Sequence, residues 1–568
     1  MKKMPKGRTL AEFLPLTSGE MVLLKACADG EVAKVSDNRP TEKSAENMVR
    51  ASFIRFMALG GDDDAPVHEQ GVQLQGAWIE GKFNLTGAVT SSTLALRNCH
   101  FESALVLEDT EIGGMLSLNG SLVPGINADR LQCKGSVFLQ KGFTATSEVR
   151  LLGAQIDGNL NCSGAKLHGE EINALSADRA VIKGSVFLRE GFAATGKVRL
   201  LGVQVGGNLS CNGATLNGQG GAALSADRAT IGGSVFLSEG FSATGTVRLL
   251  GVQIGGNLTC KKATLDGKGS NALSMDGMIV NGSFFFCGLV APVTGISLSS
   301  AKVSRLIDDA ESWGERLILD GFVYQHLASS APTDAGARLV WLNKQHANFT
   351  TAEDFRPQPW KQLQTVLRNM GHVEDARQIA IAFEDNLRLK GLIGQTPPSW
   401  PKWQRVGYRY VAQTMHALFK ILIGYGYRPL RLGAWMIIVW LFCAGVYWSA
   451  ALQGAMSPSN PLVFQNLPKY DSCTKNWYLC AELPEEYTGF SPLAYSLDLL
   501  LPLVNLQQEQ DWAALIPTPK ETWYQELFSH WTFKHVVRMT VWFEILFGWV
   551  ASLLLVAVVS GLTKRSEE

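Results

Sequence analysis

Three cysteines recur at one interval: Cys162, Cys211 and Cys260 stand 49 residues apart. Thiols aligned in this way would suit a redox relay or a soft-metal ladder, and three arginines on the same interval, Arg150, Arg199 and Arg248, would suit a stripe that holds an anion. The spacing argues against both. If each period holds two stacked rungs at about 4.8 Å, successive cysteines are roughly 9.6 Å apart with a leucine between them, beyond the reach of a disulfide. Cys162, Cys211 and Cys260 therefore read as small buried fillers alternating with Leu139, Leu188 and Leu237. The arginines read as a solvated stripe paired with nearby carboxylates.

Other chemical motifs are incomplete. LDGKGS at 265–270 lacks the earlier glycine and the Lys-Ser/Thr order of a phosphate loop, and its counterpart one period earlier is LNGQGG, so it reads as a corner of a repeat. No HExxH occurs, no GxGxxG opens a helix, and the nine histidines never pair at a ligand spacing. No catalytic residue, no metal site and no cofactor is assigned from the sequence. Lysine plus arginine (51) equals aspartate plus glutamate (51), which gives no whole-chain electrostatic footprint for nucleic acid.

The elements that carry these residues follow from the period. Asp129, Asp178, Asp227 and Asp276 are successive copies, as are Gly135, Gly184, Gly233 and Gly282; VRLLG recurs at Val149, Val198 and Val247. Overlaying LSADRAVIKGSVFL on VRLLGVQVGGNLSC splits the 49-residue period into rungs of about 23 and 26 residues. Rungs of that length, rich in glycine and in alternating apolar residues, predict a right-handed-type parallel β-solenoid over 70–320. Val186, Leu188, Leu209 and Cys211 point inward in this reading, and Ser185 and Ser210 face out. Residues 1–69 form a helical N-terminal cap, and 321–400 a helical connector containing a hairpin with Gly371 as the stop of its first helix. The fold class is mixed, because a membrane module follows.

GAWMIIVWLFCAGVYWSAAL, from Gly433 to Leu452, is a 20-residue run without a charge and predicts a transmembrane helix over 433–456. A second span is predicted from Met539 to Leu562, within 536–568, carrying one charge, Glu544. The preceding segment, 401–432, reads as a membrane-interface helix, or equally as an extra packed helix, with Lys402, Arg405, Arg409, Lys420, Arg428 and Arg431, no acid, and an apolar face of Val411, Met415, Leu418 and Leu422. Lys564 and Arg565 follow the second span. Basic flanks on both sides place both termini in the cytoplasm, and the opening residues lack a secretory signal, so a two-span protein of a bacterial inner membrane is expected. The loop 457–535 is then extracytoplasmic, and Cys473 and Cys480 are a disulfide candidate there.

The apolar part of residues 491–512 is helical in length and too short to cross, which suits a re-entrant segment or a helix on the outer surface. In the re-entrant case its backbone must be covered by protein or line a wet cavity, implying a homo-oligomer. Asp498, Asn505, Gln507, Glu509 and Glu544 are the pore candidates. GYGY at 424–427 has the letters of a potassium filter but precedes the first span, so it reads as a hinge turn.

ASFIRFMALGG with PVHEQGVQLQGAWIEG, VRLLG with GGNLxCxGA, GYGYRP, and YSLDLLLPLVNLQQEQDW together resemble a family of bacterial membrane proteins with pentapeptide-like β-solenoids, commonly labelled "membrane-associated oxidoreductase". The resemblance covers nearly the whole chain. It implies redox chemistry, yet carries no cofactor or catalytic residue onto any position. The spans and their loop also resemble two-helix pore modules of channels, without the glycine filter. Three functions are therefore expected to compete: a solenoid that binds a protein or small-molecule partner, coupled to an ion-conducting module in membrane lipid; a membrane-anchored scaffold or immunity protein; and the oxidoreductase.

Overall fold

The computed structural model describes residues 6–328, 330–345, 355–465, 467–484, 487–515 and 531–559. It divides into two compact units, Met1–Phe383 and Glu384–Glu568.

The first unit is a parallel β-solenoid of about 11 turns. Two long parallel ladders run along it, one of 21 strands and one of 16, most strands being only two residues long. Such short strands cannot stand alone, so each rung is held by the rungs above and below. Val137 pairs with Leu160, Leu160 with Val186, Val186 with Leu209 and Leu209 with Val235. Val186, Leu188, Leu209 and Cys211 are buried as expected. Ser210 keeps the outward register of Phe187 and Phe236, its partners on either side, but they leave it only 5% exposed.

One corner of the solenoid explains the repeated Gly-Asn and Gly-Ser pairs. Asn159 Oδ1 accepts the Ser185 amide at 2.7 Å, Ser185 Oγ accepts the Asn208 amide at 3.0 Å, and Asn208 Oδ1 accepts the Ser234 amide at 2.7 Å. This relay takes up amides that the strand ladder leaves unpaired. It brings successive corners so close that a Cβ on Gly184 would lie 2.7 Å from the carbonyl oxygen of Gly158, which only glycine avoids.

Both ends of the solenoid are covered. At the start, helix α1 (Ser18–Asp29) opens with a capping box between Thr17 and Glu20. Glu20, fully buried, also binds Arg50. Arg50 ends the strand Met48–Arg50, which joins the ladder through Trp78–Glu80, and helix α2 (Ala51–Ala58) follows. Parallel pairing therefore begins before residue 70, with Ala33–Lys34 also pairing on Leu74 and Gln75.

At the far end, helices α3 (Ala335–Asn343), α4 (Gln358–Asn369) and α5 (Val373–Leu389) follow the last strand, Val323–Leu327. Gly371 stands between α4 and α5 at φ 88°, as its role of helix stop requires. Gln358 accepts the Gly321 amide and donates to the Phe322 carbonyl, and Gln362 donates to the Tyr324 carbonyl, so α4 supplies partners that a further rung would have given. Beneath this lies a fully buried Arg338, bidentate to Asp308 at 2.7 and 2.8 Å and flanked by Trp313 and Trp341.

In the second unit, helix α6 (Lys402–Ile423) ends at Gly424 and Tyr425, both left-handed, and helix α7 (Leu430–Leu452) follows. Helix α8 (Pro492–Leu500) and helix α9 (Phe533–Val559) complete it. The charge-free run Gly433 to Leu452 lies within α7, but the predicted end at 456 is too late: Gly454 is left-handed and Met456 opens a strand. Residues 539–559 of the second span lie within α9; residues 560–562, and Lys564 and Arg565 after them, lie outside the described residues.

Removing one partner of the buried pair tests the C-terminal closure: Arg338→Ala leaves the buried Asp308 with only the Trp313 indole N–H as side-chain partner and should cost about 3–5 kcal/mol. A lowered thermal unfolding midpoint for residues of the solenoid, read by circular dichroism at strand wavelengths, checks it.

Candidate functional site

The periodic residues of the solenoid resolve into structural roles. Arg150, Arg199 and Arg248 each bind the aspartate of the preceding rung, Asp129, Asp178 and Asp227, at 2.6, 2.6 and 2.7 Å. The other oxygen of each aspartate accepts a backbone amide, from Leu152, Leu201 and Leu250. At Asp276 no arginine follows, and Ser297 takes its place. Cys162, Cys211 and Cys260 are free thiols with no exposed surface, and burial pushes each up to about 12, far from thiolate formation at neutral pH. In LDGKGS, Lys268 binds Asp266 at 2.8 Å within the corner.

The remaining concentration of buried polar chemistry is in the second unit, around α8. Ser491 caps the helix and Pro492 opens it. The Leu501-Pro502 sequence ends it, since a residue before proline is driven out of the α region, and Leu501 is extended. The nine residues between are wedged against α7 and α9. Trp440 Nε1 of α7 donates to the Leu493 carbonyl at 2.9 Å, and Tyr447 meets Tyr495 edge to face at 5.0 Å. At Gly548 of α9 a Cβ would overlap the carbonyl oxygen of Leu500, so glycine is what permits the approach.

Glu544, the lone acid of α9, is the centre of this contact. It has no exposed surface. The Tyr447 hydroxyl donates to its Oε2 at 2.8 Å, and Ser496 Oγ lies between its Oε1 and the Trp440 carbonyl. One carboxylate thus joins α7, α8 and α9.

Two of the five pore candidates are committed to internal partners. Glu544 is one. Asp498 is the other: it is 6% exposed, and its two oxygens accept the amides of Leu506 at 2.7 Å and Glu509 at 2.9 Å, fixing the loop after α8. Asn505, Gln507 and Glu509 are exposed on that loop. Asn505 Oδ1 accepts the Gln507 amide, and buried Gln508 bridges back to Ser491 and Gly489. Further along, Trp512–Ala514 pairs antiparallel with Met456–Pro458, and Cys473 and Cys480 are joined by a disulfide beside Trp477.

Among the basic residues of 401–432, Lys402, Arg409 and Arg431 are exposed and Arg405, Lys420 and Arg428 half-buried. Lys420 Nζ binds Asp385 at 2.7 Å, and Asp385 also accepts the Tyr425 hydroxyl at 2.9 Å, holding the left-handed turn before α7; burial and that bond push the Tyr425 phenol upward. His416 Nε2 is 3.1 Å from Glu384. Val411, Met415 and Leu418 are exposed and Leu422 packs toward Ile423.

The sequence marked Glu544 by its isolation among apolar residues, but its partners lie far away in the chain and Ser496 carries no motif. Asp385, adjoining the interface helix in space only, gave no signal either.

Comparison with family profiles, with curated proteins and with solved structures finds no match to this chain.

Alkylation of the native protein with iodoacetamide at neutral pH should leave Cys162, Cys211 and Cys260 unmodified, and mass spectrometry after denaturation should find all three reactive. Asp498→Ala strands two amides and should cost about 1–3 kcal/mol locally; faster proteolytic cleavage between residues 500 and 512, with Asp498→Asn intermediate, checks it.

Proposed function

We propose that this chain is an integral membrane protein whose solenoid binds a partner or signal on the cytoplasmic side and whose two-helix module assembles with copies of itself around an ion-conducting path. The observation that carries the reading is α8, a nine-residue helix wedged between two long apolar helices and bonded to both.

The membrane assignment rests on α7 and α9 being apolar and uncovered. Their most apolar windows have mean hydropathy 1.8 and 1.9, yet only 28% and 22% of those windows is buried. A core helix of that composition would be enclosed; helices that show Ile437, Leu441, Phe442, Leu546, Leu553 and Val556 to their surroundings call for lipid. The basic α6, with exposed Trp403, Val406, Met415 and Leu418, suits the headgroup region of a cytoplasmic leaflet. A bacterial inner membrane, with both termini inside and the disulfide-bearing loop outside, accords with the charge pattern and with the compartments in which thiols oxidise.

Depth favours re-entry over a surface helix. Gly548, which meets the end of α8, is about 14 Å along α9 from Met539, where the apolar span begins, near the middle of a hydrocarbon layer of about 30 Å. A short helix at that depth, between spans and followed by an irregular loop, is the geometry of a wet cavity at an axis. The resemblance to solenoid-bearing membrane proteins labelled oxidoreductases fits the architecture. Its redox implication finds no support in the buried thiols.

Conductance decides between this reading and a membrane-anchored scaffold. Purified full-length protein in planar bilayers should carry a current, and Glu509→Gln, an exposed charge on the loop after α8, should change its amplitude or selectivity. A silent bilayer from folded protein favours the scaffold.

A further inference from the structure

The loop between α8 and Gln507 combines features that a free surface loop does not need. Leu503 is 93% exposed, and Val504 and Leu506 are also exposed. The loop is nevertheless fixed at both ends, by Leu500 against Gly548 and by Asp498 holding the amides of Leu506 and Glu509. Among the described residues, nothing donates a hydrogen bond to the carbonyls of Pro502, Leu503, Val504, Asn505 or Leu506.

Five unpaired carbonyls at the depth reached by α8 cannot face lipid, which offers them no hydrogen-bond donor. We infer that residues 502–506 meet the same loop of further copies of this chain at a central axis, form the narrowest part of the path, and admit cations rather than anions. The inference rests on the conducting reading above and adds the lining and the ion class.

The ion class follows from the groups presented. Free carbonyls direct partial negative charge into the path, and rings of such carbonyls replace the hydration shell of a cation. The C-terminal end of α8 points its negative dipole toward the same loop, and Asp498 lies beside it, its oxygens accepting the amides of Leu506 and Glu509. Exposed Glu509 adds another negative charge. Leu503, the outermost side chain, would narrow the opening.

Leu503→Cys in the full-length protein, oxidised in native membranes, should give a reducible chain-to-chain dimer, with Asn505→Cys as a second position on the same loop. Leu553→Cys, on the outward side of α9, should stay monomeric. In a tenfold potassium chloride gradient the current should reverse near the potassium equilibrium potential. Modification of the Leu503→Cys protein by a membrane-dissolved maleimide but not by a water-soluble one, without cross-linking at either position, would overturn the axial placement. Reversal at the chloride potential would overturn the ion class. Cross-linking with a silent bilayer would keep the axial placement and reject the conduction on which the ion class depends.

Discussion

Every backbone amide and carbonyl removed from water must find a partner, and both units of this chain are organised by that demand. In the solenoid most strands are two residues long, so the pairing comes from the neighbouring rung. The corner relay of Asn159, Ser185, Asn208 and Ser234 extends the same pairing through the turns, where a plain strand ladder would leave amides exposed. The ends, which have a neighbour on one side only, are closed by side chains: Gln358 and Gln362 act where a next rung would have been. In the second unit, helices satisfy their own backbones, and among the described residues the carbonyls of the loop 502–506 receive no donor from the chain.

Buried charge follows the same logic in each unit. Arg338 with Asp308, and Glu544 with Tyr447 and Ser496, are enclosed polar groups whose hydrogen bonds are supplied by remote segments. Such groups add little net stability over an apolar substitute, but they disfavour alternative packings, since any other arrangement strands them. Glu544 thereby ties α8 to both long helices. Asp498 does the equivalent for the loop that follows. The outward chemistry of the module is left to Asn505, Gln507, Glu509 and the loop carbonyls.

Much of the fold was legible because a solenoid writes its geometry as periodicity. Gly184 and Gly207, Leu188 and Cys211 fell into columns from spacing alone, and the inward alternation predicted for Leu188 and Cys211 is what the structure has. Ser210 misled because period-two alternation says which way a side chain points but not what its neighbours cover; the flanking phenylalanines enclose it. The long apolar helices were legible from composition, and Gly371 from its role at a helix end. The site was less so. Asp498, Glu544 and the loop were visible as polar or irregular features in an apolar setting, whereas Tyr447, Ser496 and Gly548 become meaningful only once three distant segments pack together. Arg338 lies in the stretch read only as a helical connector, and nothing in its local sequence announces a partner 30 residues earlier.

A cryo-electron microscopy map of the full-length protein in lipid nanodiscs tests the central claim most directly. The predicted result is a map with residues 492–507 within the bilayer, between two spans, with Glu544 enclosed by Tyr447 and Ser496 and with several copies sharing an axis at Leu503. A single copy, or an assembly in which residues 492–507 lie on the outer surface of the bilayer away from any axis, would contradict it.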